Sequence, residues 1–143
     1  MSIKILKNVF DQIRAHAEET YPEECCGLLI GPGDGERKVI DSMKMTNAYT
    51  GSKNDRYHIN PLELFKADRG VAQKGLAITG IYHSHPDYPA KLSAYDLEHS
   101  FPWYSYIIVS VPNGKAGEVK SWVPDDERTT TSEEKVEVIS EAS

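Results

Sequence analysis

The sequence predicts a single-domain α/β protein with an α+β tendency, one mixed sheet flanked by helices. Three observations predict it. Short apolar runs at 25–31 and 106–111 have the length of buried strands. Helical spacing runs from Leu6 to Ala17, and Asn60-Pro61 is a helix-start signal ahead of a second helix. Turn signals at 32–35 and 112–114 fold strands back, so at least one antiparallel hairpin joins the sheet.

In chain order, Ile3 and Ile5 open a short apolar start. Leu6, Val9, Phe10, Ile13 and Ala17 then form a helical stripe that Pro22 ends, because the residue before a proline is pushed out of the α region. Cys25 to Gly31 reads as a buried strand, Pro32 to Gly35 as a turn, and Arg37 to Ile40 as the start of the return strand. A polar loop covers 47–55, and Tyr57-His58-Ile59 reads as a short strand. Asn60 caps a helix through about Gln73, with Pro61 in its first turn. Leu76 to His83 is a strand, 86–92 a loop, and Ser93 to Asp96 the start of a short helix ended by Pro102. Tyr106 to Val111 is a central strand, and Pro112-Asn113-Gly114 turns the chain into a last strand at 118–123.

The 143 residues suffice for one domain without disulfides, and residues 1–124 are expected to form it. No run of 18 apolar residues and no signal-peptide pattern is present, so a cytoplasmic location without a membrane span is expected. The net charge is −6, concentrated at the end: residues 125–143 carry seven acids against Arg128 and Lys135. This segment is expected to be a mobile, solvated, dispensable tail. No basic patch emerges, which excludes nucleic acid as the main partner. Cys25 and Cys26 are adjacent. Neighbouring Cα atoms lie about 3.8 Å apart, short of the roughly 4.4–6.8 Å that a relaxed disulfide spans, and two thiols are too few for a Cys-rich zinc site.

The chemistry concentrates in His83-Ser84-His85-Pro86, six residues, then Ser93-Ala94-Tyr95-Asp96. On a strand, i and i+2 share a face, so both imidazoles reach one metal, and Pro86 leaves them at a rim. Asp96 supplies a carboxylate; two His and one acid with a fourth position for water is a catalytic zinc arrangement. Ser93-x-x-Asp96 is also a capping box, and an aspartate turned toward a metal is expected to fold back only partly onto its cap. Upstream, Glu23 and Glu24 stand at the mouth of a buried strand, where either can carry protons for a hydrolytic site.

These residues resemble the JAMM (MPN-plus) metalloproteases, zinc-dependent isopeptidases and deubiquitinase relatives. Their signature, a distant Glu followed by H-[S/T]-H-P-x6-S-x2-D, stands complete here, and Pro22 to Gly27 looks like the P-x-E-x-C-G of small prokaryotic members. The resemblance covers roughly 3–123 and implies a JAMM/MPN, cytidine-deaminase-like core. It implies one catalytic Zn2+ held by His83, His85 and Asp96, Glu24 rather than Glu23 as acid/base, and Ser93 stabilising the oxyanion. With no long insertion, the chain is similar to members that cut after the C-terminal Gly-Gly of a ubiquitin-like or sulfur-carrier protein. The alternatives are a metallohydrolase of unrelated small peptides and a non-catalytic MPN-type scaffold. His99 is expected to be structural, His58 to pack or line the substrate groove, and Cys26 to pack beneath the site. A cysteine nucleophile is disfavoured for want of a thiolate-stabilising partner.

Overall fold

Eight strands share one sheet in the computed structural model, which describes residues 1–140. In chain order the elements are β1 (Ser2–Leu6), α1 (Lys7–Thr20), β2 (Cys26–Pro32), β3 (Lys38–Val39), β4 (Asp41–Met45), α2 (Pro61–Ala72), β5 (Leu76–Pro86), α3 (Ala94–Glu98), β6 (Ser105–Val111), β7 (Val119–Pro124) and β8 (Thr131–Ile139). The spatial order is β3-β1-β8-β7-β6-β5-β2-β4. The expected mixed α/β class holds: β5–β6, β1–β8 and β1–β3 are parallel, and the remaining pairs antiparallel. None of the helices among the described residues is long and apolar enough to cross a membrane.

Strand alternation sends side chains to two cores. Leu29, Ile107, Val109 and Val111 face α1, packing with its Val9, Ile13 and Ala17. Leu28, Ile30, Ile81, Tyr106 and Ile108 face the other way and pack against Val71 of α2 and, on the loop to α3, Ala90 and Leu92. β5 therefore lies between β2 and β6 with both faces covered, and its last six residues are all buried. That is the strand carrying His83 and His85.

Three expectations are corrected. Arg37 to Ile40 does not simply start a return strand: Lys38 and Val39 leave to pair with β1, and the return along β2 is made by β4. Tyr57 to Ile59 forms no strand. The Asn47 side chain takes over the backbone groups a strand partner would have used, accepting from His58 N and donating to Arg56 O. The largest correction is at 125–143, where 131–139 is not a mobile tail but β8, inserted between β1 and β7. Its acid count is misleading because Glu134 points inward, 1% exposed. There Arg37 donates to it through Nε (3.1 Å) and Nη2 (2.7 Å), and Ser121 Oγ at 2.8 Å. Residues 141–143 of the expected tail lie outside the described residues.

Candidate metal centre

Near the C-terminal end of β5, His83 and His85 project to one side of the strand with both rings fully buried. Their Nε2 atoms lie 3.1 Å apart, and Asp96 Oδ2 is 3.1 Å from the first and 3.2 Å from the second. Asp96 reaches them because Ser93 caps α3. Ser93 Oγ accepts from Asp96 N (3.0 Å), and Ser93 N donates back to Asp96 Oδ2 (3.2 Å). The expected conflict between capping and ligation does not arise: one carboxylate oxygen takes the cap N–H and still faces both imidazoles. The capping box thereby orients the acid.

The donor set fits a tetrahedral divalent cation. Metal–ligand bonds of about 2.0–2.2 Å place neighbouring ligand atoms roughly 3.3 Å apart, close to the observed triangle. His85 Nδ1 donates to Pro89 O at 2.7 Å, which leaves the lone pair of Nε2 facing the cluster. Burial lowers the pKa of His83, against the pull of Asp96, and keeps its ring neutral; its Nδ1 has no partner. Burial raises Asp96, but the imidazoles against it hold its carboxyl well below the ordinary range.

Glu24 sits between α1 and β2. Its N–H donates to Lys53 O (2.7 Å) and its C=O accepts from Asn47 Nδ2 (3.1 Å), so the 47–58 loop holds this backbone in place. Only 2% exposed, its carboxyl accepts from Tyr88 Oη through Oε2, while Oε1 is buried without a partner. Burial pushes it up to about 9, opposed by the Tyr88 hydroxyl and reinforced by Asp96 and Asp55. Two buried carboxyls thus share one region with no Lys or Arg paired to either among the described residues, an environment that favours a bound cation. Glu23, by contrast, is exposed.

Two residues at the site escaped the sequence reading. Tyr88, besides meeting Glu24, stacks on His85 with ring centroids 4.1 Å apart. Tyr57 stacks on His83 at 4.5 Å. An aromatic in the six-residue loop was the available signal for Tyr88; Tyr57 had none. His99 stays outside the donor cluster, stacked on Tyr95 at 4.1 Å with Nδ1 donating to Tyr95 O. Cys26 is buried opposite His83 in the β2–β5 register. Burial pushes its thiol up to about 12, and that of Cys25 to about 11, far from a reactive thiolate. Beside Asp96 opens a cleft of about 180 Å³ lined by Tyr57, Ile59, Leu64, Tyr95 and Phe101, with His58 and His99 also on its walls.

Known proteins resemble this chain over most of its length. Residues 6–125 match the family described as prokaryotic homologs of the JAB domain. A protein of Haloferax volcanii named desampylase is 30% identical over 123 residues, 82% of this chain and 86% of that one. A CysO-cysteine peptidase of Mycobacterium bovis is 31% identical over 126 residues, 87% and 83% of the two chains. A solution structure from Desulfitobacterium hafniense superposes with a TM-score of 0.83 at 30% identity, covering 97% of this chain and 94% of its own.

Proposed function

The chain belongs to the prokaryotic homologs of the JAB domain, and on that premise we propose that it is a zinc metallopeptidase. Its substrate is the peptide or isopeptide bond that follows the C-terminal Gly-Gly of a ubiquitin-like or sulfur-carrier protein. The observation that carries this reading is the convergence of three buried donors, His83, His85 and Asp96, beside an under-satisfied buried Glu24. The relatives named desampylase and CysO-cysteine peptidase support the substrate class.

His83, His85 and Asp96 would hold the zinc, which when bound would supply a Lewis acid for the scissile carbonyl and the attacking water. The remaining work falls to side chains of the chain itself. Glu24 takes the proton of the attacking water and returns it to the leaving amine, a role worth about 100–10,000-fold in rate. Tyr88 holds the Glu24 carboxyl by its hydroxyl and braces the His85 ring. Ser93 orients Asp96 through the cap and offers its hydroxyl to the developing oxyanion. Burial of the imidazoles puts these contacts in a surrounding of low dielectric.

Zinc content of the purified protein, measured beside Asp96→Ala, tests this directly. One zinc per chain, sharply reduced in the variant, together with cleavage of a carrier carrying an extension after Gly-Gly, is expected. Absence of zinc after reconstitution would overturn the reading.

A further inference from the structure

We infer that the cleft beside Asp96 receives the side chain of the first residue after the cut, a large apolar one, while Arg56, stacked on the Tyr95 wall of that cleft, receives that residue's free carboxylate. On this view the preferred substrate is a carrier extended by a single apolar amino acid. The inference rests on the proposed Gly-Gly peptidase reading and narrows it.

The cleft touches Asp96 directly, and its walls are Tyr57, Ile59, Leu64, Tyr95 and Phe101. The two residues before the cut are glycines, without side chains. A third residue back lies about 7 Å or more along an extended chain. The side chain that can fill an apolar space next to the metal ligands therefore comes from the leaving side. A cavity of about 180 Å³ holds a leucine, methionine or phenylalanine side chain with room to spare.

Arg56 supplies the second observation. It is exposed, and none of the ion pairs among the described residues involves it. Two contacts fix it beside Tyr95. The Asn47 amide donates 3.1 Å bonds to both Arg56 O and Glu24 O, tying its backbone to the acid/base residue. Its guanidinium lies 4.3 Å from the centroid of the Tyr95 ring, the residue preceding Asp96 and itself a wall of the cleft. Tyr49 Oη accepts a further bond from it at 3.3 Å. An amino acid leaving group sends its side chain and its carboxylate in different directions from one Cα; the cleft and the cation flanking Tyr95 match that divergence. Hydrolysis then adds water across the amide: the carrier keeps a Gly-Gly carboxylate and the freed amine takes the proton.

The test uses zinc-loaded protein and a set of carriers ending Gly-Gly-Phe, Gly-Gly-Ala, Gly-Gly-Phe-amide, and Gly-Gly joined to a lysine side chain. Phe is expected to exceed Ala by about tenfold or more in kcat/KM. The amide is expected to lose about fivefold, through KM, as for an exposed ion pair. Arg56→Gln, at an exposed position, should remove the acid-over-amide preference and leave the Phe-over-Ala preference. Ile59→Trp, which fills the cleft, should do the reverse. Calorimetric binding of the same peptides to Glu24→Gln should rank them identically. Cleavage of all four at equal rates, or faster cleavage of the lysine conjugate, overturns this inference while keeping the peptidase. Cleavage of none overturns the peptidase reading itself.

Discussion

Two glutamates are buried among the described residues, and the chain treats them in opposite ways. Glu134, on β8, is 1% exposed and meets Arg37 and Ser121, so its oxygens are paired. Glu24, just before β2, is 2% exposed and has a phenol for one oxygen and nothing for the other. A satisfied buried charge ties strands together; an under-satisfied one is held ready to exchange a proton. The difference separates a structural end of the sheet from a chemical one.

The most damaging way to break the structural region is to delete 125–143. That removes β8 from between β1 and β7 and leaves Arg37 without its partner, so an unfolded chain by circular dichroism is expected. Retention of a cooperative melt would show that β8 is dispensable after all. Glu24→Gln attacks the other region: turnover should fall about 100–10,000-fold while zinc and fold remain. Survival of activity would remove Glu24 from the proton path. Arg37→Met is the matched structural lesion. It strands a buried carboxylate at a cost of about 3–5 kcal/mol in urea unfolding, with turnover per folded molecule unchanged.

A smaller effect sharpens the contrast by pH. In chelator-treated protein, folded Glu24 keeps its proton up to about 9, whereas an ordinary Glu releases it near 4.5. Between those values the folded state binds more protons than the unfolded chain, so this contribution to stability falls as pH rises through that window. Melting temperatures should show the slope in wild type and lose it in Glu24→Gln. The mildest change is Tyr88→Phe, which keeps the ring on His85 and removes the hydroxyl from Glu24. A loss of about tenfold in kcat is expected, as for one hydrogen bond to a charged group.

Most of the candidate site was legible because it is local in sequence. His83 and His85 share a face by strand periodicity, and Ser93 to Asp96 is one turn of helix; both follow from spacing alone. Glu24 needed the family resemblance, since Glu23 is chemically its equal and only burial separates them. Tyr88 and Tyr57 were not legible, because stacking on a particular imidazole is set by how loops cross the strand ends. The misreading of β8 has the same origin. Composition marks 125–143 as solvated, but a carboxylate can turn inward when an arginine 97 positions earlier in the chain waits for it.

By itself the sequence determined the types of most elements before residue 124 and the spacing of the candidate donors, because backbone periodicity and capping act over a few residues. It also determined that the thiols are not bridged, through the fixed length of one peptide unit. Only the tertiary structure decided which carboxyls are buried and which partners they find. It alone decided that β8 enters the sheet, and that Arg56 stacks on Tyr95. Burial and charge compensation are properties of residues far apart in the chain, and they take their values only once the sheet has brought those residues together.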